Sequence, residues 1–559
     1  MRHRHAPLAL LLFCAATPLL AAEPAADLVV RHARIWTGAH SPAASAMAVT
    51  GGRLVAVGND AAVAGLIGPK TVLVEGKDRR IVPGFNDAHV HFSDGGGSLV
   101  AVQLNDARTP EELVRRLAEK AAHMVPGQWI LAGEWDETKW PGAQLPTRQM
   151  IDAATPRNPV AVDRYDGHAL LANTLALSLA KIDRTTPDPD GGVIVHDTNG
   201  EPTGVMKDAA ENLVRAVIPT PSHSDRYKAV QQALAHAASL GVTSVQDMGP
   251  AHEDIGVYAE LKREGKLTAR IYVASPIDTV EDQARLGIGH AFGDEWLRIG
   301  AVKAFADGSL GSRTAYFFDD FTDEPGNHGL LAETMHPIER TRGYFMRADE
   351  TAQQICSHAI GDRGISTILD LYAELVKAHS LPLDRRFRIE HAQHIAAKDF
   401  KRFHDLGVIA SMQPTHAIDD GRWAEPRIGH DRASRTYAFR TLLDHGVHLA
   451  FGTDWPVAPL DPMLSLYAAV TRQTLDGANP NGWFPEQKLS VAEAVSAYTE
   501  GSAYAEFQEH DKGTLEVGKL ADFVMLDHDP FTVDPATLRD VRVIGTWVGG
   551  RQVYAKGNP

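Results

Sequence analysis

The chain has 559 residues, of which 44% are hydrophobic and 23% charged, a composition typical of a globular protein in water. Its formal net charge of −16 at pH 7 argues against nucleic acid and against anionic membrane surfaces as partners. The length exceeds what one small core can hold, so we expect several structural units or one large barrel with additions.

The first 22 residues resemble a leader rather than a part of the fold. Arg2 and Arg4 precede a short apolar run that ends in small residues near Ala22, as in secretory signal peptides, and the run is too short for a membrane span. We therefore predict that 1–22 is a signal peptide and that the mature protein is periplasmic or secreted, without membrane contact. Cys356 would then be the only cysteine left, which excludes an intrachain disulfide.

Short alternating segments with Gly, Asn and Ser turns between them occupy residues 27–82, and similar segments return at 510–559. This pattern is typical of β-strands. Neither end has enough strands for a sandwich of its own. We therefore predict one small β-sandwich composed of the N- and C-terminal segments.

Between these ends, over residues 83–509, apolar β-like runs alternate with helical patterns. A first strand around 82–92 is followed by runs at 243–248, 270–274, 297–305, 354–359, 386–391, 408–413 and 447–452. Helical patterns at 224–240, 339–351, 366–378 and 434–444 separate several of them. Strands that alternate with helices form a parallel sheet, and eight such units close a barrel. The predicted fold is therefore α/β, a TIM-like (β/α)8 barrel.

Residues 129–218 interrupt this alternation after the first strand and are rich in Pro, Gly and Asp turns. We interpret them as an insertion over the mouth of the barrel. The pattern fits a lid or substrate wall, and it fits a plain surface excursion equally well.

Polar side chains collect at the predicted carboxyl ends of the strands, where chemistry lies in such barrels. His89 and His91 are two residues apart on one strand, so their side chains leave the same face. Histidine nitrogens and a carboxylate that converge from separate strands form a set of ligands that suits a transition metal. These positions are His89, His91, His358, His391 and Asp454, and the strand predicted at 297–305 also carries Lys303.

Several stretches carry a resemblance to a known family. They are 82–91 (VPGFNDAHVH), 303–315 (KAFADGSLGSRTA), 358–362 (HAIGD), 388–393 (RIEHAQ), 452–456 (GTDWP) and, near the C-terminus, 518–522 (GKLAD). With them the sequence resembles the amidohydrolase superfamily, and within it the amidohydrolase-3 group that includes N-substituted formamide deformylases. The resemblance spans essentially the whole chain after the leader.

The resemblance implies a divalent-metal centre with two zinc ions, or with manganese or iron in their place. His89, His91 and Asp454 would hold one ion, and the other two histidines would hold the second. Lys303 would bridge them as a carboxylated lysine, because an unmodified ammonium has only donors and cannot ligate a metal. An unmodified lysine beside a single metal is the alternative.

The family implies hydrolysis of a carbon–nitrogen bond that is either not a peptide bond or only resembles one. Such bonds occur in amides, formamides and N-acyl compounds. A metal-activated hydroxide would attack, with Asp454 as general base and then general acid. Four residues are predicted to bind substrate from their positions along the chain, namely His168, Asp307, Arg313 and His416. A purely structural role fits each of them equally well.

Two other functions stay open. One is a mononuclear deaminase acting on a heterocycle. The other is a non-catalytic regulatory protein on the same scaffold, although a protein that only binds has no need of Asp454. We expect a small-molecule substrate and no nucleic acid as partner, and the sequence leaves a homodimer open.

Overall fold

In a computed structural model, residues 25–39, 41–379 and 384–557 of the chain are described. The predicted leader, 1–22, lies outside these residues.

The N-terminal segment forms six short strands that belong to two sheets. They are β1 (Leu28–Arg31), β2 (Arg34–Ile35), β3 (Ala46–Thr50), β4 (Arg53–Gly58), β5 (Val72–Glu75) and β6 (Arg80–Pro83). The first sheet has the order β4-β3-β1-β5. In the second sheet β2 and β6 pair in parallel. The N-terminal segment alone therefore supplies the whole of one sheet and an edge of the other.

The strand β7 (Phe85–Val90) begins the barrel and is buried along its entire length. Before the next barrel strand, the chain forms a separate sheet with the order β11-β12-β10-β9-β8. Its strands are β8 (Ile130–Leu131), β9 (Val160–Asp163), β10 (Ala169–Ala172), β11 (Gly192–His196) and β12 (Pro202–Asp208). They lie within the predicted insertion, which is thus a packed sheet with its own apolar core.

The remaining barrel strands all run parallel to β7. They are β13 (Val242–Met248), β14 (Arg270–Pro276), β16 (Leu297–Phe305), β17 (Gln354–Ala359), β18 (Arg388–His391), β19 (Ile409–Met412) and β20 (Leu449–Phe451), while the short β15 (Phe292–Gly293) pairs antiparallel with β16. Their neighbour order follows the chain order. Buried parallel strands consist of nearly continuous apolar residues, which is why the sequence revealed them.

The barrel closes between its first and last strands through Asp87. This buried carboxylate accepts hydrogen bonds from the backbone N–H of Thr453, at 2.9 Å, and from its hydroxyl, at 2.8 Å. Val90 also forms a parallel bridge with Trp455. The predicted α/β barrel of eight parallel strands is therefore confirmed within the described residues.

The C-terminal segment completes the sheet that β2 and β6 begin. Its strands are β21 (Phe523–Leu526), β22 (Val543–Val548) and β23 (Arg551–Ala555), and the sheet order is β2-β6-β21-β22-β23. The two ends of the chain share one apolar core, which includes Met47, Ile81, Phe523 and Trp547. The C-terminus thus joins one sheet of the predicted sandwich and leaves the other to the N-terminal segment.

Helices connect the strands and surround the barrel. They are α1 (Asp60–Ala64), α2 (Phe92–Ser98), α3 (Pro110–Ala122), α4 (Arg148–Asp152), α5 (Thr174–Ala180), α6 (Glu211–Arg215), α7 (His223–Ser239), α8 (His252–Arg263), α9 (Val280–Arg285), α10 (Ile338–Glu350), α11 (Asp362–Ala378), α12 (Phe400–Asp405), α13 (Pro414–Asp420), α14 (Ala424–Ala433), α15 (Phe439–Asp444), α16 (Pro462–Thr471), α17 (Val491–Ser496) and α18 (Ser502–Ala505). Among the described residues, no helix combines the length and the apolarity needed to cross a membrane.

One predicted helix starts in the wrong place. The sequence suggested 434–444, but α15 begins only at Phe439. Ser434 instead follows the last turn of α14, and Thr436 pairs with His394 in an isolated bridge. The buried free thiol of Cys356 lies on β17 and has no partner cysteine among the described residues.

Candidate active site

The structure brings the six predicted metal-ligand positions together at the carboxyl ends of the barrel strands. His89 lies near the end of β7, Lys303 on β16, His358 on β17 and His391 at the end of β18. His91 follows β7 directly, and Asp454 follows β20 by three residues. The positions are therefore contributed by five separate strands, as the barrel topology requires.

Asp454 lies at the centre of the first group. Its Oδ1 atom is 3.3 Å from Nε2 of His89 and 3.3 Å from Nε2 of His91. The Nζ atom of Lys303 is 3.3 Å from Nε2 of His89. His89 and His91 thus direct equivalent nitrogens to one carboxylate oxygen, which agrees with their spacing on an extended strand.

His391 links this group to His358. Its ring centroid is 4.9 Å from that of His89 and 4.6 Å from that of His358. Ligand atoms of His89, His391 and Asp454 all lie within 4.8 Å of one another. The family resemblance predicts that His89 and Asp454 hold one ion and His391 the other. Because these residues form a single cluster, two ions bound here would lie close together. The number of ions stays a prediction.

Hydrogen bonds fix which nitrogen of each buried histidine is free. In each case one ring nitrogen faces an oxygen acceptor and must carry the proton, which leaves the lone pair of the other nitrogen available to a metal. The contacts are His89 Nδ1 to Glu390 Oε2 at 2.7 Å, His391 Nδ1 to Gln413 Oε1 at 2.9 Å and His358 Nε2 to the Gly308 carbonyl at 3.1 Å.

The site also contains polar atoms that a cation would satisfy. Asp454 Oδ1 is buried and has no hydrogen-bond partner among the described residues. Burial raises the pKa of Asp454, but the nearby histidines outweigh this effect and hold the pKa well below its usual range. A carboxylate anion among imidazole nitrogens is a donor set that fits a divalent transition metal.

Lys303 lies in the same buried centre, and none of the described carboxylates is within 4.0 Å of its Nζ atom. Burial lowers the pKa of its ammonium group. A lysine in these surroundings tends toward the neutral amine, which is the form that can react with carbon dioxide. The modification itself stays a prediction.

Backbone strain accompanies two of these ligand positions. His391 has φ of +69° and Asp454 has φ of +62°, both in the left-handed region that side chains rarely adopt. Such strain is found at functional sites, where the surrounding structure holds it in place.

An open pocket adjoins this centre, with about 430 Å³ of empty space when the solvent at its mouth is included. His358, His391 and Asp454 form part of its wall. The other described residues that line it are Tyr165, Asp166 and His168 from the insertion, Ser309, Leu310 and Gly311 after β16, Ile360, Gln393, Tyr437 and Val457 from barrel loops, and His416, Asp419 and Asp420 from α13. A small molecule can therefore reach the centre between the insertion and the barrel loops.

His168, predicted to bind substrate, lies in the cavity wall with its ring centroid 5.1 Å from that of His358. Its Nδ1 atom is 2.7 Å from Asp208 Oδ1. Burial lowers the pKa of His168, but the hydrogen bond and charge of Asp208 raise it to about 9 overall. The imidazole is therefore a cation at neutral pH, with Nε2–H free to donate.

His416 also lines the cavity, on the first turn of α13. Its ring lies nearly parallel to that of His391, with centroids 6.3 Å apart. The Nε2 atom of His416 is buried and has no partner among the described residues. It is thus a second polar group that a bound substrate would satisfy.

Asp307 and Arg313 do not line the cavity. Asp307 is fully buried and accepts hydrogen bonds from the backbone N–H groups of Tyr316, Ile360 and Gly361, at 2.7–2.9 Å. Arg313 pairs with Asp323 at 2.8 Å and is partly exposed. Both residues stabilise loops around the site, and their geometry gives no support to the predicted substrate contacts.

Sequence reasoning missed several residues of the site. Glu390 orients His89, and Asp420 and Tyr437 lie in the cavity wall. Asp420 is four residues after His416 on one helix, so helical periodicity could have grouped the two. Tyr437 carries no comparable signal, because it lies in the short connection between α14 and α15, outside any regular element.

A family model described as the amidohydrolase family matches residues 73–554 of the chain. Protein LONG AFTER FAR-RED 3 of Arabidopsis thaliana is 38% identical over 548 residues, which cover 95% of this chain and 92% of the relative. N-substituted formamide deformylase of Arthrobacter pascens is 28% identical over 549 residues, which cover 95% and 98%. The crystal structure of an uncharacterized metal-dependent hydrolase from Pyrococcus horikoshii shares 28% identity and a TM-score of 0.75, and the match covers 91% of this chain and 99% of that one.

Proposed function

This chain belongs to the amidohydrolase family of metal-dependent hydrolases, and we propose that it hydrolyses an amide-like C–N bond of a small molecule. The observation that carries the proposal is the buried, unpartnered Oδ1 of Asp454, which lies 3.3 Å from two imidazole nitrogens at the wall of a cavity. The deformylase relative, whose name specifies a C–N bond, supports the choice of bond and makes formyl a candidate acyl group.

His89, His91, His358, His391, Asp454 and a carboxylated Lys303 would hold the ions. Divalent metals at this position would acidify a water molecule and polarise the substrate carbonyl. Asp454 accepts the proton of the attacking water and passes it to the leaving nitrogen, so one carboxylate serves as base and then as acid.

The histidines of the cavity wall orient the substrate. His168, a cation held by Asp208, donates its Nε2–H toward the carbonyl oxygen as negative charge develops there. His416 offers a second buried nitrogen for the same oxygen or for the amide N–H. Leu310, Ile360 and Val457 line the cavity with apolar surface that excludes bulk water.

Carboxylation of Lys303 separates this proposal from a mononuclear deaminase. The neutral amine adds to carbon dioxide and releases one proton, which gives a carbamate anion with two oxygen ligands. Two metal ions per chain and a carbamate carbon signal after exposure to labelled bicarbonate are expected. One ion per chain and an unmodified Lys303 would favour the deaminase.

The test compares the metal-loaded wild type with Asp454→Asn on a panel of formamides, amides and N-acyl amino acids, with amine release as readout. Loss of a general base is expected to lower kcat by about 100- to 10,000-fold. Asp444→Asn, at an exposed carboxylate, is the matched control and should behave as wild type. If the metal-loaded protein releases no amine from any compound, and Asp454→Asn leaves ligand binding intact, the chain is a binding protein.

A further inference from the structure

Asp420 is a buried carboxylate in the cavity wall, at the last residue of α13, and is only 7% exposed. Its Oδ2 atom accepts a hydrogen bond from the Tyr437 hydroxyl at 2.6 Å and another from Gln393 Nε2 at 2.7 Å. Both donors reach the same oxygen. No donor of the described residues forms a hydrogen bond to Oδ1.

The other three carboxylates of the cavity wall lie beside an arginine or beside the histidines of the predicted metal centre. Asp166 Oδ2 is 2.5 Å from Arg164, and Asp419 Oδ1 is 2.6 Å from Arg422. Asp454 faces the histidines. Asp420 alone among the four has only neutral donors. None of the described residues that line the cavity is Lys or Arg, and the cationic His168 in the same wall is already paired with Asp208.

An ionised carboxylate without a paired cation is unfavourable in a buried position, because the loss of hydration is not repaid by an opposite charge, and burial accordingly raises the pKa of Asp420 to about 7. A cationic group that entered the cavity would supply that charge. An anionic ligand would meet repulsion here, since Asp419 adjoins Asp420 in the wall.

We propose that Asp420 is the specificity residue of a subsite that binds an ammonium group on the substrate. The inference rests on the proposed function, because it assigns a chemical class to the substrate of that reaction. The substrate would thus be an amide whose remaining part bears a free amine.

The test measures binding rather than hydrolysis. The probes are N-aminopropyl methanesulfonamide and N-butyl methanesulfonamide, which have equal length, resist amide hydrolysis and differ only in a terminal ammonium or methyl group. Their affinities for the full metal-loaded chain are measured by calorimetry. A hydrogen bond between charged groups predicts at least about tenfold tighter binding of the aminopropyl compound.

Two variants separate an ammonium subsite from a structural role. Asp420→Asn keeps an oxygen acceptor for Tyr437 and Gln393 but removes the charge, so the preference for the aminopropyl compound should disappear. Tyr437→Phe removes the hydroxyl that orients Asp420 but leaves the carboxylate, so the preference should persist.

Equal affinities in the wild type, including no measurable binding of either compound, would overturn the subsite. The same follows if Asp420→Asn retains the preference, or if Tyr437→Phe loses it to the same extent. Turnover of the matching aminopropyl and butyl formamides is followed separately. A protein that prefers the ammonium probe but hydrolyses neither formamide nor any other compound of the amide panel would contradict the proposed function and leave the subsite standing.

Discussion

The buried carboxylate of Glu390 accepts a hydrogen bond at each of its two oxygens. Its Oε2 accepts the hydrogen bond of His89 Nδ1 at 2.7 Å, and its Oε1 accepts one from Arg388 Nε at 2.8 Å. Burial raises the pKa of Glu390, but Arg388 and His89 outweigh it and lower that pKa far below its ordinary value. The carboxylate therefore stays ionised and holds the imidazole of His89 with Nε2 directed at the metal position.

We predict that Glu390→Gln weakens metal binding. The amide keeps the shape of the side chain but loses the charge that raises the basicity of His89, so the affinity for zinc should fall about 10- to 100-fold. The measurement is competition of the purified protein against a chelating dye. Glu374→Gln, at a half-exposed residue paired with Arg342, should leave the affinity unchanged. Equal zinc affinities of wild type and Glu390→Gln would exclude this role.

The convergence of the six predicted ligand positions could be foreseen from the sequence, but the residues around them could not. His89 and His91 show a strand spacing, and the motifs place the other ligands at strand ends. Glu390 precedes His391 directly, and strand alternation would place the two on opposite faces. The left-handed backbone at His391 breaks that alternation, so both side chains contribute to one site. Such a local departure from regular geometry has no signature in the residue types.

At the scale of elements, the barrel was easier to predict than the ends of the chain. Each barrel strand is a short, buried apolar run, whereas β2 has only two residues and is the edge strand of a sheet that both ends of the chain build. The sheet of the insertion was missed because long turn-rich segments separate β8 from β9 and β10 from β11. The helix predicted at 434–444 was too long because α14, which has a non-helical Gly429, occupies the preceding residues.

The insertion contributes His168 to the cavity wall. Two variants within the insertion test the role of this histidine. His168→Ala removes a cationic donor near the predicted carbonyl position, so kcat should fall about 100-fold with a smaller change in KM. His196→Ala, on an exposed end of β11 in the same sheet, is the control and should match wild type. Steady-state kinetics on the best amide of the panel give both constants. Unchanged kcat and KM in His168→Ala would leave this histidine a structural residue.

At the scale of the whole molecule, a buried ion pair joins the composite sheet to the barrel. Arg270 lies on β14, and its guanidinium contacts both oxygens of Asp522, at 2.6 and 3.0 Å. Asp522 directly precedes β21, whose pairing with β6 brings the two ends of the chain together. The same carboxylate accepts the backbone N–H of Gly549 at 2.7 Å. This one side chain therefore couples the barrel, the shared sheet and the loop before β23.

Removal of that carboxylate should destabilise the whole chain. Asp522→Asn removes the closest counter-charge of the buried Arg270 guanidinium and leaves only the longer contact with Glu295, at 3.9 Å, so the free energy of unfolding should fall by about 3 kcal/mol. Urea unfolding followed by circular dichroism measures the loss, and Asp540→Asn, at an exposed residue, is the control. Because the cost comes from the uncompensated charge, adding Arg270→Met to Asp522→Asn should recover part of the stability. If the two substitutions instead lower stability additively, the pair is not coupled, and sheet and barrel are held together by apolar packing alone.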